Sequence, residues 1–176
     1  MMDVDVKMGE LMERMPGARR ALFAKYHLGG CQSCAFDDGE TLGGLCERAE
    51  IDADEVLAHL QKSHEHDLTM LLEPGEVKRR VDAGEEILWV DVRTREEHDA
   101  VKIAGAEFFN QEVQERIFKE KPGGLVVLYD HTGNYVLDQV AWFRGHGVEN
   151  AFGLTGGIDS WSQEVDKAVM RYRVEV

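Results

Sequence analysis

Three cysteines, Cys31, Cys34 and Cys46, all fall in the first third of a 176-residue chain. Cys31-x-x-Cys34 brings two sulfurs within reach of one metal ion or of each other, and Cys46 follows in the next helical stretch. Three thiolates hold a zinc ion with a fourth ligand, or bind part of an iron–sulfur cluster. They serve equally as a dithiol/disulfide couple, or as carriers of a persulfide that a neighbouring thiol resolves. An odd count confined to one segment does not suit a disulfide framework. Cys46, beside Leu45 on a helix, also suits plain burial as a small hydrophobe; Cys31 and Cys34, in "GGCQSC", suit that less well. His27 is the nearest further ligand, at a spacing that is not a standard zinc pattern. "HLQKSHEHD" offers His59, His64 and His66 to a metal, against the simpler reading of a solvated helix end.

A second stretch able to do chemistry is "LVVLYDHTGNYVL", Leu125 to Leu137. An apolar strand ending in a Gly-containing loop before a helix is where backbone N–H groups converge on an anion. The loop here opens with a carboxylate, Asp130. That side chain either lies in the N–H cradle as an internal anion or acts as a covalent nucleophile, as in phosphoryl transfer. The second role needs a metal and a nearby cation, for which His131 and His146 are candidates by sequence proximity.

Around these stretches the hydrophobic pattern divides the chain. Residues 1–61 read as short helices: "KMGELMERM" puts Met8, Leu11, Met12 and Met15 on one face, and "ARRALFAKYHL" continues with Leu22, Phe23, Tyr26 and Leu28. Thr41 and Asp52 are placed as N-caps of the next two helices. Polar, aperiodic "KSHEHD" reads as a linker, 62–67. In 68–176 short apolar strands alternate with amphipathic helices, the pattern of a parallel sheet covered on both faces. The tail "MRYRVEV" alternates like an added edge strand. The fold class is therefore α/β, with a small all-helical N-terminal domain.

Three stretches of the second segment resemble the signatures of the rhodanese family: "WVDVRTREEHDAVKIAGA", "VVLYDHTGNYV" and "LTGGIDSW", together covering about Leu68 to Val165. Asp91 and Arg93 suit a structural ion pair, with Glu97 a further partner of Arg93. Gly156 and Gly157 let the backbone pass close to a neighbour before the helix that buries Trp161. The resemblance implies an active loop of Cys-x-x-Gly-x-Arg-Ser, whose Cys takes sulfur as a persulfide. Aligned on Gly133, this chain reads Asp130, His131, Thr132, Gly133, Asn134, Tyr135, Val136: the Cys is replaced by Asp130 and the Arg by Tyr135. A carboxylate cannot form a persulfide, so thiosulfate turnover through this loop is expected to be absent. Tyr26 to Leu60 resembles a small helical family of unknown function with the same three-cysteine layout, from which no activity is transferred.

The formal net charge of −14 disfavours nucleic acid and anionic membranes, which need a positive face. No stretch has the length of a membrane span, and the charged N-terminal residues are unlike a signal peptide, so a cytoplasmic protein is expected. The reading is a rhodanese-like binding or regulatory module, inactive at its own loop, with a protein partner of sulfur-transfer or redox type. The alternatives are a sulfur-transfer or redox protein that uses Cys31 and Cys34 as its carrier, and zinc or iron–sulfur binding by the three cysteines.

Overall fold

The computed structural model describes residues 2–30 and 35–174, which fall into two compact units, Met1–Thr69 and Met70–Val176. Cys31 and Cys34 lie outside the described residues.

The first unit holds helices α1 (Met8–Arg14), α2 (Ala18–Tyr26), α3 (Leu42–Arg48) and α4 (Ala53–Leu68). Their apolar faces meet in one core, in which Met8, Leu11, Leu22, Leu42, Leu45 and Val56 are fully buried. Each such side chain contributes about 1.5–3 kcal/mol on leaving water. Thr41 accepts the Gly44 N–H at 3.1 Å and Asp52 accepts the Glu55 N–H at 2.9 Å, so both act as N-caps. Phe23, expected on the core face, is instead half-exposed. The proposed linker at 62–67 is not a break, because α4 runs through it to Leu68. No Gly or Pro interrupts α4, and Asp67, polar by type, is buried against Arg20 at 2.7 Å. Gly17 leaves room for this pair: a Cβ there would lie 1.9 Å from Asp67 Oδ2.

The second unit is a five-stranded sheet in the order β1-β5-β4-β2-β3, parallel at every described pairing. Its strands are β1 (Leu71–Leu72), β2 (Ile87–Asp91), β3 (Glu107–Phe108), β4 (Leu125–Tyr129) and β5 (Ala151–Leu154). The helices are α5 (Pro74–Asp82), α6 (Arg95–Ala100), α7 (Gln111–Glu120), α8 (Val136–Gly145) and α9 (Gly157–Glu164). Central β4 is buried throughout, and its period of two divides it between the faces. Val126 and Leu128 pack with Ile117 of α7 and with Val136, Val140 and Phe143 of α8. Leu125, Val127 and Tyr129 pack with Val77 of α5 and with Ile158 and Trp161 of α9. Helices thus cover both faces, as the alternation implies. The tail is not the expected edge strand: residues 170–174 form no strand or helix. The short edge strand β1, at the other end of the sheet order, has no periodic signal in two residues.

Candidate functional site

The carboxyl ends of β2, β4 and β5 place Asp91, Asp130 and Thr155 along one rim, where the crevices of open parallel sheets form. At the end of β2, the Asp91 carboxylate is fully buried and satisfied on every side. It receives Arg93 Nε at 2.9 Å and Nη2 at 2.6 Å, the Tyr129 hydroxyl at 3.0 Å, and lies 2.8 Å from His98 Nδ1. Burial pushes its pKa up, but the bonds from Arg93 and His98 outweigh burial and hold it below the usual carboxylate value. Glu97 does not pair directly with Arg93 as expected. It closes a capping box with Thr94, and the Tyr172 hydroxyl, 2.8 Å from Arg93 Nη1, donates to it at 2.6 Å.

The loop from Asp130 to Val136 joins β4 to α8. Asp130 turns inward, 5% exposed; its Oδ1 accepts the Gly133 N–H at 2.5 Å and its Oδ2 the Tyr135 N–H at 2.7 Å. Burial raises its pKa, and the N–H groups of Tyr135 and Gly133 offset that only in part. Gly133 needs its φ of +90°, and a Cβ there would strike Gly156 N at 2.7 Å. The far wall is as close: a Cβ on Gly157 would meet the His131 carbonyl at 2.5 Å. The opening of α9 then fixes the loop from outside, since Ile158 N–H donates to the Asp130 carbonyl and Asp159 N–H to that of His131.

Thr132, Asn134 and Tyr135 face outward. Tyr135 is 82% exposed and lends the cradle only its N–H, while Asn134 bonds to Thr132 at 3.2 Å. His131 stacks on Tyr172, with ring centroids 4.2 Å apart. His146 lies at the other end of α8, about 15 Å along the helix, against Trp142 and Phe118. With both oxygens of Asp130 bonded to backbone and His146 remote, the loop does not present the parts of a phosphoryl-transfer site.

The model of the rhodanese-like domain matches residues 73–164, more than half of the chain. The chain belongs to the rhodanese-like domain family.

The probable adenylyltransferase/sulfurtransferase MoeZ, in two strains of Mycobacterium tuberculosis, is 28% identical over 102 residues, covering 56% of this chain and 26% of the relative. The chain therefore spans about a quarter of the length of the curated relatives it matches. Among solved structures, a rhodanese-like domain protein from Staphylococcus aureus is 19% identical with a TM-score of 0.46, covering 58% of this chain and 98% of that one. A rhodanese-related protein from Thermoplasma volcanium is 20% identical with a TM-score of 0.44, covering 53% and 91%.

No cysteine occurs in the rhodanese-like unit, residues 70–176. In the helical unit, Cys46 is 1% exposed within the α1–α4 core, and burial, then the charge of Asp52, pushes its thiol pKa up. In this state the thiol is packed as a small hydrophobe. Of the histidines, His59 contacts the Ala21 carbonyl at 3.0 Å, His64 is half-buried and His66 is exposed. Among the described residues, no group of three His, Cys, Asp or Glu side chains is placed to hold a metal. The rhodanese-like rim also uses His98, Tyr129 and Tyr172, which sequence motifs did not single out. Tyr172 lies 79 residues from Arg93, and no local pattern reports such a contact. No helix of the described residues is long and apolar enough to cross a membrane.

Proposed function

We infer that the rhodanese-like unit is a binding or regulatory module that performs no sulfur transfer at its own loop. The observation that carries this reading is the Asp130 carboxylate, seated in the N–H cradle between Gly133 and Tyr135. A persulfide requires a polarisable thiolate that attacks sulfur and retains it, and a carboxylate in that seat offers none. The internal anion also occupies the position an external anion would take. What remains is a rigid rim, cross-tied by the Asp91 network, with exposed Tyr135, Thr132 and Asn134 at its edge. Such a surface suits recognition of a protein partner.

A second reading is supported by Cys31-x-x-Cys34 and by the sulfurtransferase wording of the MoeZ name. In it the helical unit carries sulfur or redox equivalents, and the rhodanese-like unit docks the donor or acceptor. A chain carrying Cys31→Ser, Cys34→Ser and Cys46→Ser separates the two. The binding-module reading expects partner binding to be unchanged and the wild-type chain to take up no sulfur from a donor. A persulfide on Cys31 or Cys34 of the wild-type chain, lost in the variant, would favour the second reading.

A further inference from the structure

The chain beyond α9 lies against the same rim. Val169 is buried, and its carbonyl accepts the Ser162 hydroxyl. After Val169 the described residues make no backbone-to-backbone hydrogen bond and no regular structure. The segment is held almost entirely through side chains. Arg171 pairs with Asp159 at 2.7 and 3.1 Å, while Met170 and Val174 on either side are 75% and 56% exposed. Tyr172 is the anchor. Its ring lies nearly parallel to His131, its carbonyl is 3.2 Å from His131 Nε2, and its hydroxyl sits between Arg93 and Glu97.

The slot around Tyr172 is well defined, but the segment carrying it is not closely packed. A cleft of about 320 Å³ remains between the segment and α6, lined by Glu96, Glu97, Ala100, Val101, Met170 and Tyr172. Beyond Val169, a segment held mainly by one aromatic and one exposed ion pair opens far more readily than the sheet beneath it.

We propose that Tyr172 is a built-in ligand, and that the slot formed by His131, Arg93 and Glu97 takes an extended partner segment presenting a tyrosine directly after a basic residue. The inference rests on the binding-module reading and names the partner chemistry of that surface. Each part of the slot sets one requirement. The imidazole of His131 takes a flat ring, and Arg93 with Glu97 takes a group that both accepts and donates, as a phenol does and a phenyl does not. Asp159 at the margin takes a basic neighbour, the role of Arg171 in the tail. The tail competes in cis at a high effective concentration, so an incoming segment binds the wild-type chain with reduced apparent affinity.

The test uses the full-length chain with Tyr172→Ala and the peptide acetyl-Met-Arg-Tyr-Arg-Val-amide. Calorimetry is expected to show binding to the variant at least tenfold tighter than to the wild-type chain. Replacing Tyr by Phe in the peptide is expected to weaken binding to the variant at least tenfold, since the two hydrogen bonds of the hydroxyl with Arg93 and Glu97 are then lost from a part-buried site. Equal affinity for the two peptides, or no binding to a variant that unfolds as cooperatively as wild type, overturns the proposal. The wild-type chain gives an independent arm: saturating peptide should lift Tyr172 off the His131 ring and move the Tyr172 ring-proton resonances towards their values in an unfolded chain, and unchanged resonances under saturation overturn the proposal. Thiosulfate turnover at the loop would sink the functional reading and leave the slot standing, whereas failure of peptide binding would leave the silent loop standing.

Discussion

The Tyr135 N–H points at Asp130 Oδ2 across 2.7 Å, so the residue that closes the loop hydrogen-bonds the carboxylate that opens it. The Gly133 N–H does the same for the other oxygen. Asp130→Ala removes the internal anion and leaves these donors unpaired. The variant should lose about 1–3 kcal/mol in urea unfolding and regain part of it in millimolar sulfate, with no such response in the wild type. Equal response of both chains to sulfate would show that the cradle is not the anion seat.

The two buried carboxylates of the rim should respond to pH in opposite directions. The folded pKa of Asp130 is raised, so its contribution is fully present below the unfolded value, near 3.9, and is lost as pH rises through the folded value. The folded pKa of Asp91 is lowered, so its contribution is present above the unfolded value and is lost as pH falls through the folded one. Relative to Asp130→Asn, the wild type should therefore gain stability on acidification from neutral pH towards 4. Relative to Asp91→Asn, it should lose stability as pH falls below that unfolded value. Urea titrations across pH would show whether the two differences have the same sign, which would contradict this assignment.

Asp91→Asn should also be among the most damaging substitutions in the rhodanese-like unit. It leaves the Arg93 guanidinium buried without its counter-charge, a loss of about 3–5 kcal/mol in chemical unfolding. A loss below about 1 kcal/mol would mean that water reaches Arg93 and replaces the pair.

Much of this architecture is legible from local pattern. The strand and helix alternation of the second unit and the caps Thr41 and Asp52 follow from residues within a few positions of one another, and the Gly156–Gly157 pair marks a close approach whose partners, Gly133 and His131, lie far off in sequence. The departures have long-range causes. Lys62 to Asp67 reads as polar and aperiodic, yet it stays helical, with Asp67 buried against Arg20, 47 residues away. The tail alternates like a strand, but it is tied down by Tyr172 reaching Arg93 and by Arg171 reaching Asp159. Glu97 was assigned to Arg93 by proximity, and it is Tyr172 that stands between them. Cys46 sits in the next helical stretch after Cys31-x-x-Cys34, and no local pattern reports that its side chain is buried in the core of the helical unit.

Cys46 gives a direct check on that burial. With its thiol 1% exposed and its pKa raised by burial, it should react with an exposed-thiol reagent only as the helical unit opens. Mass spectrometry after brief labelling should find Cys46 unmodified in native protein and modified in urea. Rapid native labelling would place it outside the core.

The central claim is that the cradle of loop 130–136 holds a carboxylate in place of a sulfur-accepting thiolate. Its most direct test is thiosulfate-to-cyanide sulfur transfer by the full-length wild-type chain and its Asp130→Cys variant, with intact mass and peptide mapping of each after thiosulfate alone, before cyanide is added. The account predicts wild-type turnover at background. It also predicts that the variant gains a thiol-dependent adduct of about 32 Da at position 130, because the N–H donors already face that seat. Wild-type turnover that Asp130→Asn abolishes would contradict the account and give Asp130 a part in the chemistry.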